Sequence, residues 1–260
     1  MFNAVVWITG GGTGIGRALA IELAKRGDRV IISGRRQDKL DETLQAIIAE
    51  GKSGEALVCD VTDPIQCQEV VKKIIERYGK LDTCIANAGF SVYAPFEEIT
   101  AEQWRHQIDV NLMGVIWTIQ AALPSLKQTR GRLVVISSVS GKLAVAKTSA
   151  YSASKFALVG LCNALYQELY PLGVSVTNIL PGFVESDIVR VDNNGQPRNK
   201  SDRRPEFLVW PAQKAALAIL RAIDKRKREQ VITGHGKFAA FLARYLEGLT
   251  YWMLARKAAQ

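Results

Sequence analysis

Short apolar runs alternate along the chain with longer segments in which apolar residues recur at helical spacing. The runs have the length and composition of buried parallel strands. They lie at residues 3–9, 29–33, 54–59, 81–86, 132–136, 174–180 and 230–233. Strands that alternate with helices form a parallel sheet covered on both faces. The pattern therefore predicts an α/β fold with one doubly wound sheet of about seven parallel strands flanked by helices.

Two of the helical segments carry polar residues that the helical pattern alone does not explain. Residues 101–123 form one long predicted helix with Asn111 inside it, where asparagine is disfavoured unless its side chain has a role. Residues 150–169 form another, in which Tyr151 and Lys155 are four apart and share a face. A nearby ammonium lowers a tyrosine pKa from about 10, which suits proton exchange with a substrate. The alternative is a packed tyrosine beside an exposed lysine.

The pattern divides the chain into a main domain, residues 1–235, and a C-terminal helical tail, residues 236–260. Residues 187–205 are rich in asparagine, glycine and charge, which indicates a mobile lid over a substrate. In the tail, apolar residues recur as in an amphipathic helix, at Phe238, Leu242, Tyr245, Leu249 and Trp252, with Phe241, Leu246 and Met253 widening the stripe. Basic residues flank that stripe at Lys237, Arg244, Arg256 and Lys257.

Three interpretations of the tail stay open. It packs on the body of the protein or on a partner subunit, it forms a wall of the active site, or it rests as a basic amphipathic helix on a membrane. Packing on the body or a subunit ranks first, and peripheral membrane contact ranks second. No apolar run in the sequence reaches the length of a membrane span.

Composition narrows the classes of protein that fit. The formal net charge of +9 suits nucleic acid, a membrane surface or an acidic ligand, but no aromatic and basic interleaving supports nucleic acid. The first residues lack the basic region and cleavage site of a signal peptide. Four cysteines without pairing motifs and only two histidines argue against a disulfide framework and a metal site. We therefore expect a cytoplasmic protein without a metal.

A glycine-rich turn follows the first predicted strand and precedes a helix that starts at Arg17. The turn reads Thr9-Gly10-Gly11-Gly12-Thr13-Gly14-Ile15-Gly16. A strand, a glycine turn and a helix form the nucleotide site of βαβ units, because glycines let the backbone approach a pyrophosphate at the helix N-terminus. The spacing is T-G-x-x-x-G-x-G rather than G-x-G-x-x-G. A flexible loop is the alternative, and the flanking strand and helix argue against it.

Residues after the next strands indicate which nucleotide is bound. Where an acidic residue would bind the ribose 2′-hydroxyl of NAD, the sequence has Arg35 and Arg36, and guanidinium groups bind phosphate. We therefore predict NADP(H), with Arg35 as the primary ligand of the 2′-phosphate and Arg36 as the secondary one. Asp60 and Val61 suit the adenine, although an N-cap of the next helix is an equally good role for Asp60. Small residues after the fourth strand allow close approach of the cofactor, at Asn87, Ala88 and Gly89.

Together these motifs resemble the short-chain dehydrogenase/reductase family over residues 3 to about 190. They occur in the family's order and spacing: Thr9-Gly10-x-x-x-Gly14-x-Gly16, Asn87-Ala88-Gly89, Asn111, Ser138, Tyr151-x-x-x-Lys155 and Pro181-Gly182. One departure is Ala86, where the family often has a second asparagine. The resemblance implies a Rossmann-like single domain that binds NADP(H), acts on CH–OH or carbonyl groups as an oxidoreductase, and forms a homodimer or homotetramer.

The resemblance also implies a catalytic tetrad of Asn111, Ser138, Tyr151 and Lys155. Tyr151 is expected to act as the general acid or base, and Ser138 to donate a hydrogen bond to the oxyanion. Lys155 is expected to lower the Tyr151 pKa and bind the nicotinamide ribose, and Asn111 to hold a water that links Lys155 to solvent. The expected cofactor-binding residues are Thr9, Gly10, Gly12, Thr13, Gly14, Ile15, Gly16, Arg35, Arg36, Asp60, Val61, Asn87, Ala88, Gly89, Tyr151, Lys155, Pro181, Gly182, Val184 and Ser186.

The function that fits these residues is NADPH-dependent reduction of an aldehyde or ketone to an alcohol, or the reverse reaction. The expected pocket wall is mostly apolar, which favours a hydrophobic small-molecule substrate; its members are Phe90, Tyr93, Val139, Leu143, Phe183 and Ile188. One alternative is a 3-oxoacyl carrier-protein reductase, whose acidic partner would suit the positive charge. An alternative of another class is a non-catalytic NADP-binding sensor or scaffold, which would have no need of Tyr151.

Overall fold

The computed structural model of the chain describes residues 3–186, 188, 192–194 and 204–258. Within these ranges seven parallel strands form one sheet in the order β3-β2-β1-β4-β5-β6-β7, which confirms the predicted doubly wound α/β class. The strands are Val5–Thr9 (β1), Arg29–Gly34 (β2), Gly54–Val58 (β3), Thr83–Ala86 (β4), Arg132–Ile136 (β5), Ser175–Pro181 (β6) and Glu229–Ile232 (β7). The order reverses direction between β1 and β4, and ligands of open α/β sheets bind at such a switch point.

Helices cover both faces of this sheet. They are Gly14–Lys25 (α1), Gln37–Ala49 (α2), Pro64–Tyr78 (α3), Ala101–Ile108 (α4), Gly114–Thr129 (α5), Ser149–Leu169 (α6), Ala212–Asp224 (α7), Gly234–Tyr245 (α8) and Glu247–Ala258 (α9). Two apolar clusters fill the space between helices and sheet, one on each face. Trp7 of β1 is fully buried, and its Nε1 donates to Ser33 Oγ at 2.9 Å, which satisfies its polar atom.

The predicted helix over residues 101–123 is interrupted. A π-helical turn at Asp109–Met113 separates α4 from α5, and Asn111 lies in it. A π turn holds more residues than an α turn, so it rotates the side chains that follow relative to a regular helix. Gly114 lies directly after the turn, and a Cβ there would fall 2.6 Å from Val61 Cγ2. The close approach of α5 to Val61 therefore needs a residue without a side chain.

The single stripe predicted for the tail lies on two helices. Helix α8 ends at Tyr245, Leu246 has non-helical φ and ψ angles of −132° and 36°, and α9 begins at Glu247. Thr233 caps α8 by accepting a hydrogen bond from Gly236 N at 3.1 Å. Among the helices of the described residues, none combines the length and the hydropathy needed to cross a membrane.

Candidate active site

A cleft of about 1000 Å³ opens along the carboxyl edge of the sheet at the switch point. Its floor comes from the turn after β1 and the residues after β4, and its far wall from the residues after β5 and β6. All the expected cofactor-binding residues line it except Thr9 and Gly16. The parallel strands end together at this edge, which is why motifs far apart in the sequence meet here.

Thr9 lies behind the glycine turn and supports it. Its Oγ1 accepts the N–H groups of Asn87 and Ala88 at 3.0 and 3.1 Å. Asn87 Nδ2 in turn donates to the carbonyls of Thr9 and Gly10 at 2.9 and 3.1 Å. The ends of β1 and β4 are thus fastened to each other, and this fixes the shape of the turn. Gly16 lies behind the turn as well, where a Cβ would collide with the Gly10 carbonyl.

Residues 10–12 of the glycine turn have no side chains that would cover their backbone. Gly10 has a φ of +65°, and a Cβ there would lie 2.9 Å from Ala88 Cα. Gly12 faces Lys39, whose Cβ would be 3.0 Å from an added methyl group. A turn without side chains that leads into the N-terminus of α1 is a cradle for a pyrophosphate. The residues present therefore fit a dinucleotide cofactor.

Basic side chains cluster at the end of the cleft beside β2. Arg35 and Arg36 follow β2, are exposed and line the cleft, as the sequence predicted. Lys39, in the first turn of α2, lines it too and pairs with Glu42. The sequence interpretation missed Lys39, although its position three residues after Arg36 on a helix was a usable signal. Three cations at one end favour a phosphate over a bare hydroxyl.

The Asp60 carboxylate is part of the cleft and does not cap α3. Its Oδ1 accepts hydrogen bonds from Thr62 N and Oγ1 at 3.0 and 2.8 Å. The N-cap of α3 is Asp63, which accepts from Ile65 N at 2.8 Å. The N-cap alternative for Asp60 is therefore wrong, and Asp60 lines the cleft beside Val61.

Tyr151 and Ser138 both line the cleft. Burial raises the pKa of Tyr151, while the Ser138 hydroxyl and the positive charge of Arg204 act against that rise. Ser138 Oγ accepts a hydrogen bond from Ser140 N at 3.0 Å, which leaves its own proton for donation. The neighbouring Ser137 directs its hydroxyl to the Lys155 carbonyl at 3.4 Å. The role of Ser138 as the donor to the oxyanion stays a prediction.

Lys155 is buried, and its environment differs from the sequence expectation. Its Nζ donates to the Ile136 carbonyl at 3.1 Å and lies 5.6 Å from the centre of the Tyr151 ring. Burial lowers the pKa of Lys155 to about 8. The expected lowering of the Tyr151 pKa by Lys155 stays a prediction. The sequence does not reveal how deeply the Lys155 ammonium is buried.

The lowered pKa of Lys155 predicts a pH-dependent stability. Below about pH 8 the lysine is protonated in both states, and burial of the ammonium destabilises the fold. As the pH rises toward 10.5, the unfolded chain binds more protons than the folded one, so stability rises. Relative to Lys155→Met, wild type should gain about 2 kcal/mol of unfolding free energy between pH 7 and 10, measured by urea unfolding. Lys52→Met, at an exposed position, should follow wild type; parallel curves for Lys155→Met would contradict the prediction.

Asn111 is fully buried and does not line the cleft. Its Oδ1 accepts from Phe90 N at 3.0 Å, and its Nδ2 donates to Phe90 O at 2.9 Å and to Ser154 Oγ at 3.3 Å. These contacts join the π turn to the loop after β4 and to the helix that carries Tyr151. The side-chain amide thus acts as a positioning group in the structure, and its expected role toward a water stays a prediction.

The predicted pocket wall lines the cleft in full: Phe90, Tyr93, Val139, Leu143, Phe183 and Ile188. Most of the proposed lid, residues 187–205, lies outside the described residues. Among its described residues, Asn193 Oδ1 accepts from Tyr93 N at 3.0 Å, and Ile188, Asn193 and Arg204 line the cleft. Arg204 Nη1 donates to the Val184 carbonyl at 3.0 Å and places a positive charge at the Tyr151 end of the cleft. The sequence interpretation did not single out Arg204.

His235 also went unassigned from the sequence. Its Nε2 accepts the N–H of Phe183 at 2.9 Å, and the two rings lie 5.1 Å apart. Since Nε2 is the acceptor, the neutral ring carries its proton on Nδ1, and burial lowers the pKa of His235. Thr233, two residues earlier, has a φ of +85°, which is costly for a β-branched residue. This strained turn places His235 and the start of α8 against the cleft.

The tail contributes to the cleft as well. Ala239 of α8 and Lys257 of α9 line it, and the Tyr251 hydroxyl accepts a hydrogen bond from Ala144 N at 3.3 Å. Part of the tail therefore forms a wall of the cleft, as the active-site interpretation of the tail expects. The apolar stripe does not pack on the body, because most of its members are exposed.

Comparison with known proteins agrees with this geometry. The short chain dehydrogenase family matches residues 4–197. An uncharacterized oxidoreductase of Staphylococcus saprophyticus is 36% identical over 189 residues, which cover 72% of this chain and 80% of the relative. The chain belongs to the short-chain dehydrogenase/reductase family, which confirms the resemblance. It is thus an oxidoreductase of a family that binds nicotinamide cofactors.

Solved structures of related proteins have the same fold. An alcohol dehydrogenase of Thermococcus sibiricus, complexed with 5-hydroxy-NADP, has a TM-score of 0.77 and 27% identity and covers 88% of this chain and 96% of its own. A 3-ketoacyl-ACP reductase of Sinorhizobium meliloti has a TM-score of 0.78 and 30% identity and covers 90% and 99% respectively. The cofactor and the substrate named for these two structures describe those two proteins.

Proposed function

We propose that the protein is an NADPH-dependent carbonyl reductase, which can also run in the alcohol-oxidising direction. The observation that carries the proposal is that Tyr151 and Ser138 line one end of a cleft whose other end holds Arg35, Arg36 and Lys39. One end thus offers a proton donor and the other offers cations for a phosphate. A non-catalytic sensor would need only the second.

The cofactor would be held by the backbone of the glycine turn, by Arg35 and Arg36 at the 2′-phosphate, and by Lys155 at the nicotinamide ribose. When bound, it supplies the hydride. Tyr151 donates a proton to the oxygen of the substrate carbonyl, and Ser138 donates a hydrogen bond to the same oxygen as negative charge develops there. Lys155, with its pKa lowered to about 8, can then return a proton toward Tyr151 near neutral pH.

The wall near Tyr151 supports a hydrophobic aldehyde or ketone as the substrate. Phe90, Val139, Leu143 and Phe183 supply apolar surface, and a pocket of that kind orients a ligand through a few polar groups. We also propose a homodimer or homotetramer, in keeping with the family.

A 3-oxoacyl carrier-protein reductase is the second candidate. The similarity to the Sinorhizobium meliloti 3-ketoacyl-ACP reductase favours it, and the net charge of +9 would suit an acidic carrier protein. Helices α8 and α9 argue for the first candidate, because they place Ala239 and Lys257 in the lining of the cleft.

The test is a screen of NADPH oxidation at 340 nm, roughly the absorbance maximum of reduced nicotinamides. The substrates are aldehydes, ketones, steroids, quinones and 3-oxoacyl thioesters on a carrier protein. We expect turnover with hydrophobic aldehydes or ketones. Turnover confined to carrier-bound thioesters would select the second candidate. Tight NADPH binding without oxidation by any class would select the sensor.

A further inference from the structure

The exposed aromatic face of the tail is the largest feature of the molecule that the proposed function leaves unused. Its members lie at helical spacing on α8 and α9, and several are more than half exposed: Phe238 at 64%, Phe241 at 53%, Tyr245 at 62%, Leu249 at 52% and Trp252 at 53%. We call these five residues the tail face. Large apolar side chains that are exposed close together in the chain indicate a site of interaction.

Positive charge borders the tail face. Lys237, Arg244, Arg256 and Lys257 belong to the same two helices, against one acid, Glu247. Within the described part of the chain none of these four forms an ion pair with a carboxylate. Their charge is therefore available to an external anion.

Both arginines of this set lie over aromatic rings of the tail face. The Arg256 guanidinium is 4.1 Å from the centre of the Trp252 ring, and that of Arg244 is 5.5 Å from the centre of the Tyr245 ring. Each pair places a cation beside an amphipathic ring. Tryptophan, tyrosine and basic side chains combine in this way at the boundary between lipid headgroups and acyl chains.

Contacts with the rest of the protein hold the two helices of the tail in place. Thr233 caps α8, Tyr251 is tied to the Ala144 backbone, and Thr250 is buried. The apolar and polar sides of the two helices therefore have fixed orientations relative to the sheet. Because the two helices are already ordered, binding to a surface costs them little further backbone entropy.

We propose that the tail face binds the surface of an anionic lipid bilayer. The aromatic residues enter the headgroup region, and Lys237, Arg244 and Arg256, the basic residues of the tail that do not line the cleft, contact anionic headgroups. A second copy of the chain is the other occupant to consider. A symmetric contact between two copies would bring the positive charges that border the tail face close to one another, and like charges repel. Charge complementarity thus favours the bilayer, and the proposal does not depend on the identity of the substrate.

The test measures binding of full-length protein to vesicles by flotation, with phosphatidylglycerol and phosphatidylcholine mixed or with phosphatidylcholine alone. We expect flotation with the anionic mixture and its loss at high salt, because salt screens the attraction. Phe241→Ser/Trp252→Ser should lower the partition coefficient by about tenfold or more, since binding scales with buried apolar area. The control is Tyr170→Ser/Phe207→Ser, which removes two exposed aromatics elsewhere on the molecule.

Two further readouts decide between the bilayer and a second copy. Trp252 fluorescence should shift to the blue on addition of anionic vesicles, and Trp252→Phe should lack the shift. Sedimentation velocity should give the same oligomeric state for wild type and Phe241→Ser/Trp252→Ser. Absence of flotation, equal flotation of the tail variant and its control, or binding to neutral vesicles alone would each overturn the proposal. A smaller oligomer for the tail variant without vesicle binding would assign the tail face to a second copy.

Discussion

Replacement of Tyr151 by phenylalanine should lower kcat for carbonyl reduction by about 10²–10⁴-fold, the usual contribution of a positioned general acid. The hydroxyl is lost and the ring stays, so the packing of the ring and the affinity for NADPH should be unchanged. Steady-state kinetics gives the first quantity and fluorescence titration with NADPH the second. Because burial raises the pKa of Tyr151, the wild-type phenol is protonated at neutral pH and ready to donate.

Tyr166→Phe is a matched control for this substitution. Tyr166 lies on the same helix, α6, but outside the cleft, so its hydroxyl should not affect kcat. Ser138→Ala should lower kcat as well, with NADPH affinity intact, because the oxyanion loses a donor. Retained turnover in Tyr151→Phe with normal NADPH binding would refute the role of Tyr151 as general acid.

Replacement of Arg35 by alanine should raise the KM for NADPH by about 10–100-fold, since a hydrogen bond to a charged group contributes about 1.5–3 kcal/mol. The KM for NADH should stay the same, because NADH has no 2′-phosphate. Arg36→Ala should give a smaller change in the same direction. The measurement is a pair of titrations, one with each cofactor, at a fixed substrate concentration.

Arg105→Ala supplies the control for nonspecific charge effects. Arg105 is exposed on α4 and does not line the cleft, so both cofactors should retain their KM values. A wild-type preference for NADH, or an equal rise for NADPH and NADH in Arg35→Ala, would contradict the assignment of Arg35 to the 2′-phosphate.

The strands and the motifs at their ends could be predicted because they depend on local sequence. Strands buried on both faces must be apolar throughout, so runs such as that around Trp7 stand out. The glycine turn and the Tyr151–Lys155 pair each lie within a few residues, and their order along the chain places them at one sheet edge. Most strand and helix ends differed from the prediction by at most three residues, and α5 ends six residues beyond the predicted end at 123, since ends depend on hydrogen bonds that the pattern does not contain.

The remaining features depend on contacts between distant segments. Lys39, Arg204, His235 and Lys257 reach one cleft from four separate elements, and no local motif connects them. The π turn at Asn111 leaves the apolar spacing of α4 and α5 nearly unchanged, so periodicity does not reveal it. The position of Lys155 against the Ile136 carbonyl, and hence its lowered pKa, follows from packing depth alone.

The junction between β7 and α8 has a thermodynamic consequence. The strained Thr233 turn leads within two residues to His235, which holds the Phe183 backbone at the cleft, and α8 continues from there into the tail face. One continuous segment therefore contributes to two binding surfaces. If a molecule bound at one surface changes affinity at the other, linkage requires the reciprocal change to be the same factor. Substrate titrations of the full-length protein, with and without a molecule bound at the tail face, would measure that coupling free energy.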